Sequence, residues 1–291
     1  MFEVFLIMSK LILMAESGSD ITPEIAKEYG IVIVPMHVAF GGETRDDGSF
    51  PVTQMFEHYA KTRDLPRTSG CTPGDFEPLF EQLDREHPDA HILYLAYSAC
   101  TTCSMQSALI AAEGRKNFTA VDTKSVTAGQ GAIVLYVAKF LKENPDATLE
   151  QAVAVAHEAI EKVRMGFFPG DLEYLRAGGR VSNAAYLGAK ILSLNPLIEI
   201  LDGKLMSTKK YRGKMAQVIT KLVSEYPDQQ NLDRDQELYL IYGAGLDEKV
   251  MREVERIVTE KGFKSYTWVQ TGCVIAAHSG PGAFGIAGFA K

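Results

Sequence analysis

The 291-residue sequence has few cysteines, a single tryptophan and no long apolar run. Its four cysteines, at positions 71, 100, 103 and 273, are unevenly spaced and no secretion signal precedes them, a combination typical of the reduced cytoplasm. The apolar start over residues 1–14 is interrupted by Lys10 and falls short of the roughly 18 apolar residues of a membrane span. We therefore expect a cytoplasmic protein without stable membrane insertion. The second methionine, Met8, predicts that residues 1–7 are an upstream extension of the natural start.

Basic runs are also missing. The net charge of -7 and the absence of Lys/Arg clusters argue against a nucleic-acid surface. No G-x-S-x-G elbow, P-loop or kinase signature occurs, and the six histidines show no metal-ligand spacing. We therefore expect no catalytic residues of these classes, no metal and no cofactor.

The stretch from His91 to Ala112 organises the chain. The apolar run Ile92–Tyr97 is typical of a strand buried on both faces in a parallel sheet. A hydroxyl-rich turn over residues 98–104 follows, and then a segment rich in helix formers. The crevice beyond the carboxyl ends of parallel strands is where α/β proteins bind ligands, so this turn is a candidate binding site, and one that suits an anionic group.

Predicted strands and helices alternate up to about residue 164, which indicates an α/β fold with a parallel, doubly wound first domain over residues 1–164. Beyond it, an Asp202-Gly203 hairpin signal is mixed with helices, which predicts a two-layer α+β second domain with a mixed sheet over residues 165–291. Within that second domain we predict a helix capped by Ser182 and a strand over Cys273–Ala277 that ends at His278.

Hydroxyl side chains on two loops form the most plausible polar site. They are Thr68, Ser69, Ser98, Thr101, Thr102 and Ser104. Each of these residue types is common in turns and helix caps, so only their placement on two neighbouring loops indicates a site. His278 beside the Gly-rich stretch 280–285 could contact an anion, or it could be an ordinary histidine at a strand edge.

Two further motifs suggest other functions. Cys100 and Cys103 stand after a strand and at a helix start, as a thioredoxin-like dithiol does, although Thr-Thr separates them; a dithiol oxidoreductase is therefore the alternative from another class. An ester hydrolase using Ser98 with His278 is a third hypothesis. The G-x-G-x-x-G match at Gly280–Gly285 lacks a following helix, so we interpret it as a Gly-rich turn close to a ligand or to another backbone segment.

Several blocks together resemble the DegV family of bacterial fatty-acid-binding proteins. The specific block is Asp171-Leu-Glu-Tyr-Leu-Arg176 with Gly178-Gly-Arg180. Weaker matches, in the family's order, are Glu16–Asp20, Thr68-Ser69 with Pro73–Phe76, Gln106–Ala108, Val121–Ser125 and His278–Gly282.

The resemblance implies one long-chain fatty acid bound between the two domains, its carboxylate held by Thr68, Ser69, Ser98 and His278. Thr101, Ser279 and Gly280 would lie on the supporting loops. The resemblance also implies delivery of the acid to a separate ATP-dependent fatty acid kinase for acyl-phosphate formation in phospholipid metabolism, with Arg180 and Arg212 in docking that kinase.

The sequence departs from the family pattern at two head-group positions. Ala99 replaces a second serine in the turn, and Arg67 replaces the residue before Thr68 that is usually threonine. Arg67 could hold a carboxylate by charge-assisted hydrogen bonds, so it joins the predicted site. Burial of ~14 methylenes at ~0.8 kcal/mol each would dominate affinity, so we expect the tail inside and the carboxylate near the surface.

Overall fold

The computed structural model describes residues 11–180 and 194–291. Its strands are β1 (Leu11–Glu16), β2 (Val32–Val34), β3 (His37–Phe40), β4 (Glu43–Asp46), β5 (Arg67–Ser69), β6 (His91–Ala96), β7 (Phe118–Asp122), β8 (Val163–Phe168), β9 (Leu194–Leu201), β10 (Lys204–Arg212), β11 (Leu238–Tyr242), β12 (Tyr266–Gln270) and β13 (Phe284–Phe289).

The helices connect these strands in an alternating pattern through the first half of the chain. They are α1 (Pro23–Tyr29), α2 (Val52–Thr62), α3 (Pro73–Glu86), α4 (Ser104–Ala111), α5 (Thr127–Glu143), α6 (Leu149–Lys162), α7 (Leu172–Gly178), α8 (Met215–Gln229), α9 (Glu248–Glu260) and α10 (Cys273–Ser279). A short 3₁₀ turn covers Ser17–Ser19.

The first sheet is parallel and has the strand order β2-β1-β6-β7. Its central strand β6 is buried on both faces from Ile92 onward, as its continuous apolar run predicts. The helix after the hydroxyl-rich turn begins at Ser104. The parallel α/β arrangement predicted for the first half of the chain is confirmed.

The second sheet is mixed and has the order β10-β9-β8-β13-β11-β12. β11 and β12 pair in parallel, whereas β10/β9, β9/β8, β8/β13 and β13/β11 pair antiparallel. Asp202 and Gly203 form the β9–β10 turn with φ of 47° and 80°, the left-handed backbone that a two-residue hairpin favours. The mixed sheet predicted for the second half is confirmed.

A small antiparallel sheet, ordered β4-β3-β5, lies apart from these two. β3 and β4 form a hairpin, and β5, which carries Thr68 and Ser69, pairs with the other edge of β3. Pairing of His37 with Ser69 and of Val38 with Thr68 fixes the register of β5. The pairing places Thr68 and Ser69, two of the predicted site residues, on a hydrogen-bonded strand.

The prediction of a strand over Cys273–Ala277 is wrong, because these residues form helix α10. Periodicity does not distinguish a short buried helix from a short buried strand. The helix is decided by distant carboxyls: Asp20 accepts from the Gly272 N–H, and Asp47 accepts from the N–H groups of Cys273 and Val274. These bonds satisfy backbone donors that the first turn of a helix leaves free.

The Gly-rich stretch after α10 is a turn that leads into β13, a strand that the sequence patterns do not predict. The turn packs against the backbone before α7: a Cβ on Gly170 would lie 1.8 Å from the carbonyl oxygen of Pro281. The interpretation of this stretch as a turn close to another backbone segment is therefore confirmed. The helix predicted after Ser182 lies outside the described residues.

One hydrophobic core crosses both large sheets. It joins Met14 and Tyr94 of the first sheet to Met165, Ile241 and other residues of the second. Two further cores lie on the outer faces, one under α8 and α9 and one under α1, α5 and α6. The domain boundary near residue 164 stays a prediction; it falls at the start of β8. The cavity described below is lined in part by residues of this shared core.

Candidate functional site

A cavity of about 830 Å³, measured with its open mouth, lies between the mixed sheet, α10, β5 and the start of α5. Most of the wall is apolar: Met36, Val126, Met165, Phe167, Leu175, Leu205, Ile241, Val274, Ile275, Ala283 and Phe284. Such a wall fits an extended apolar ligand.

Hydroxyls and a histidine gather at one end of this cavity. Thr68 and Ser69 come from β5, Thr101 and Thr102 from the turn after β6, and His278 from the last turn of α10. The Thr68 Oγ1 lies 2.7 Å from His278 Nε2. The two hydroxyl-rich loops are also in direct contact, because the Cys71 N–H donates to Ser104 Oγ at 3.0 Å. The structure thus brings together the neighbouring loops that the sequence pattern predicts.

β5 is held in place by a histidine clamped between two carboxylates. His37 Nδ1 lies 3.0 Å from Asp46 Oδ1, and its Nε2 lies 3.0 Å from Asp75 Oδ2. Burial opposes protonation of His37, but the hydrogen bonds and negative charges of Asp75 and Asp46 outweigh it and raise the His37 pKa. Asp75 also accepts from the Thr72 N–H in the capping box of α3. Through these contacts His37 links β3, and the strand β5 paired with it, to β4 and α3.

His278 is neutral at the pH of the cell. Burial, and to a lesser degree the positive charge of Arg180, lower its pKa to about 4. Its ring packs on the backbone of α7, where a Cβ on Gly178 would lie 2.0 Å from Nδ1. This close approach presents Nε2 to the Thr68 hydroxyl and prevents the ring from turning toward α7.

The N-terminal end of α10 rests on two buried carboxyls. Burial raises the pKa of Asp20 to about 8; hydrogen bonds from Thr127 Oγ1 and the Gly272 N–H act against this, and the neighbouring Asp47 adds to it. Burial likewise raises the pKa of Asp47. Neither carboxyl was among the predicted site residues, and the Glu16–Asp20 block of the resemblance was the signal that pointed to one of them.

The remaining predicted site residues divide into two groups. Ser279, Thr101 and Arg180 line the cavity, with Arg180 exposed at its mouth. Ser98, Arg67, Gly280 and Arg212 are not among its described lining residues.

Ser98 is fully buried and its Oγ donates to the carbonyl of Gly203 at 2.7 Å. Arg67 and Arg212 are exposed on β5 and β10. Gly280 is buried in the turn after α10, with its N–H on the carbonyl of Ala276. The geometry therefore favours Thr68, Ser69 and His278 over Ser98 and Arg67 for contact with a ligand.

Several lining residues carry no sequence signal of their own. Met165 and Phe167 point into the cavity because they alternate along β8 with residues that face the opposite core. Thr127 and Thr271 add further hydroxyls to the lining. A strand's alternation could have suggested the first pair, but which face meets a cavity depends on the packing of the sheets.

Across residues 11–180 and 194–291, no group of His, Cys, Asp and Glu side chains is arranged to hold a metal ion. In the same part of the chain, no helix is both long and apolar enough to cross a membrane.

A parallel sheet and a mixed sheet that share one hydrophobic core, with a largely apolar cavity, define an α/β protein with a candidate ligand-binding site. Comparison with known proteins gives the family. The model of the DegV family, described as uncharacterised proteins, matches residues 10–291, so the chain belongs to the DegV family.

Relatives in this family cover almost the whole chain. A DegV domain-containing protein of Caldanaerobacter subterraneus is 27% identical over 283 residues, covering 96% of this chain and 98% of that protein. One from Deinococcus radiodurans is 28% identical over 281 residues, covering 94% and 96%. The solved structure of a fatty-acid-binding DegV family protein from Thermus thermophilus superposes with a TM-score of 0.86 at 25% identity, covering 97% of this chain and 99% of that one.

Proposed function

We propose that this protein binds one long-chain fatty acid in the cavity and presents its carboxylate to a separate ATP-dependent fatty acid kinase. The observation that carries the proposal is the asymmetry of the cavity: a long apolar wall with hydroxyls, a histidine and an arginine gathered at its mouth. The described property of the Thermus thermophilus relative, fatty acid binding, supports the same ligand class.

The tail supplies the affinity. An acyl chain laid against Met165, Phe167 and Ile241 removes its methylenes from water at ~0.8 kcal/mol each, which exceeds what one or two hydrogen bonds contribute. The lining comes from β8, β11, β13 and α10, so the chain is enclosed by both the mixed sheet and the helix above it. Binding needs no cofactor in this proposal.

The head group is oriented by the polar end. Thr68 and Ser69 offer hydroxyl donors, His278 lies beside Thr68, and Arg180 supplies a positive charge. Ser69 and Arg180 are exposed, so a carboxylate held there remains within reach of a partner. Ser98 and Arg67 are left out of this contact set because neither lines the cavity.

Arg180 and Arg212 are the proposed kinase contacts. Arg180 lies at the mouth, next to the place where the carboxylate would sit, and Arg212 is exposed at the end of β10. A kinase that transfers a phosphoryl group to the carboxylate must approach this mouth, where cations can steer a negatively charged partner.

The test begins with lipid extraction and mass spectrometry of the purified protein. We expect near-stoichiometric long-chain fatty acid. His278→Ala should then weaken binding of a fatty acid more than binding of the matching fatty alcohol, because the alcohol lacks the carboxylate. An extract without fatty acid, from a protein that also fails to bind added fatty acid, would contradict the proposal.

Kinase presentation is tested separately. Arg180→Glu and Arg212→Glu, each compared with the wild type at equal fatty acid loading, should lower acyl-phosphate formation when a bacterial fatty acid kinase and ATP are added. Lys264→Glu, which reverses an exposed cation paired with Asp235 on another part of the surface, is the matched control. Equal rates of acyl-phosphate formation by all three variants would contradict the proposal that Arg180 and Arg212 dock the kinase.

The two other hypotheses find no support in the geometry. Cys100 and Cys103 are free exposed thiols, and Cys100 Sγ lies 3.8 Å from the carbonyl oxygen of Asp202. The hydrolase hypothesis needs Ser98 on His278, but the Ser98 hydroxyl is directed to Gly203 and His278 Nε2 to Thr68.

A further inference from the structure

The cavity wall contains a polar group that an unsubstituted acyl chain would leave unpaired. Thr271 lines the cavity and only 3% of its surface is exposed. Its Oγ1 is buried and has no hydrogen-bond partner within the described residues. Buried hydroxyls are normally paired, and leaving one against hydrocarbon costs free energy.

Thr271 is well separated from the proposed carboxylate end. It stands just before α10, whereas His278 stands in the last turn of that helix, and Val274 and Ile275 line the cavity between them. Seven residues at ~1.5 Å rise place the two about 10 Å apart along the helix axis. A long chain held at His278 would therefore pass Thr271 near its middle, not at its methyl end.

Two other hydroxyl-bearing side chains line the cavity close to Thr271. Thr127 Oγ1 donates to the Asp20 carboxyl, whose other oxygen accepts from the Gly272 N–H next to Thr271. Tyr97 lines the cavity, and the pKa of its phenol is raised by burial and, to a lesser degree, by the nearby Asp20 carboxyl. The Thr127 hydroxyl has a hydrogen-bond partner, whereas the Thr271 hydroxyl has none within the described residues.

The surroundings select a neutral polar group and disfavour an anion. The backbone N–H groups of Gly272, Cys273 and Val274 are already taken by Asp20 and Asp47. Burial raises the pKa of both carboxyls, and a third carboxylate placed beside them would lose its hydration in the same way, without a free backbone N–H to compensate. A hydroxyl can both donate to and accept from Thr271 Oγ1.

We propose that the cavity is built for a long-chain fatty acid that carries a hydroxyl near the middle of its chain, with Thr271 Oγ1 as that hydroxyl's partner. The inference rests on the proposed fatty-acid binding and adds the substrate class. The carboxylate end anchors the acid at Thr68 and His278, and Thr271 distinguishes an oxygenated chain from a plain one.

The test compares stearic acid with a series of hydroxystearic acids whose hydroxyl moves carbon by carbon across the middle of the chain. Dissociation constants are measured for the wild type, for Thr271→Val, which keeps the shape and removes the hydroxyl, and for Thr271→Ser, which keeps the hydroxyl. We expect one or two adjacent positions to bind the wild type about tenfold more tightly than the other isomers do, the factor of one net hydrogen bond.

Thr271→Val should abolish that positional preference and bind stearic acid at least as well as the wild type, whereas Thr271→Ser should retain it. A flat positional profile in the wild type, or one that Thr271→Val leaves unchanged, overturns the inference. Stearic acid serves as the reference: if neither it nor any isomer binds, the proposed function has failed, whereas binding of stearic acid with a flat profile rejects only the role of Thr271.

Discussion

The Ser98 hydroxyl donates to the carbonyl oxygen of Gly203, 2.7 Å away, and so fastens the tip of the β9–β10 hairpin to the turn after β6. Lys124 Nζ reaches Asp202 Oδ1 of the same tip at 2.5 Å. The hairpin matters for the cavity because Leu205 of β10 is part of the wall. Ser98, which the sequence predicts as a carboxylate ligand, is thus bonded to the hairpin that forms part of the cavity wall.

Ser98→Ala should therefore lower stability and speed ligand release. The change leaves a buried carbonyl without its donor, at a cost of about 1–3 kcal/mol in unfolding free energy. Denaturant unfolding measures the first effect and a dissociation-rate assay with a fluorescent fatty acid measures the second. Lys124→Ala, which removes an exposed ion pair at the same tip, should lower the unfolding free energy less than Ser98→Ala does. Weaker fatty acid binding with unchanged unfolding free energy would make Ser98 a head-group ligand after all.

Gly178→Ala should displace His278 and weaken fatty acid binding by about tenfold or more. The new methyl group would start 2.0 Å from His278 Nδ1, so the ring must move away from Thr68, which costs roughly the 1.4 kcal/mol of one oriented hydrogen bond. Binding titration with a fatty acid measures the loss. Gly74→Ala is the matched control, since its methyl group would meet only Thr72 Oγ1 at 3.7 Å. Equal affinities for the two variants would show that the position of His278 does not matter.

Asp20→Asn should make the stability of the protein less dependent on pH between about pH 4 and about pH 8. The folded-state pKa of Asp20, about 8, lies above the usual 3.8, so the folded protein keeps a proton that the unfolded chain releases. The contribution of this carboxyl to the unfolding free energy is therefore largest at low pH. It is lost as the pH rises from the unfolded-state pKa to the folded-state pKa, with a slope of at most about 1.4 kcal/mol per pH unit. Asparagine does not titrate, so the stability of the variant relative to the wild type should rise between about pH 5 and about pH 8. Urea unfolding at the two pH values measures this, and a constant difference would contradict it.

Cys100→Ala/Cys103→Ala should bind fatty acid as the wild type does. Both thiols are exposed and outside the cavity lining, and the contact of Cys100 with Asp202 is a weak sulfur hydrogen bond. Isothermal titration under reducing and oxidising conditions measures the comparison. A redox-dependent change in affinity that the double variant abolishes would restore a role for the pair.

Local sequence features determined much of the architecture. The apolar run Ile92–Tyr97 specified a strand buried on both faces, because only a central strand of a covered parallel sheet hides every side chain. Asp202-Gly203 specified a hairpin, because its turn needs left-handed backbone at both positions. Asp171 specified the start of α7, where its side chain accepts from the Glu173 N–H. Each of these features acts within a few residues of itself.

Tertiary structure decided what depends on distant partners. α10 is a helix because Asp20 and Asp47, more than 200 residues away, accept from its first N–H groups. Ser98 and Thr68 carry the same kind of hydroxyl on neighbouring loops, but Ser98 meets Gly203 and Thr68 meets His278. Which alternating side chains of β8 face a cavity, and where an unpaired hydroxyl such as Thr271 is enclosed, follow from how the two sheets pack. The periodicity of a sequence shows which residues share one face of a helix or strand. It does not show which other element packs against that face.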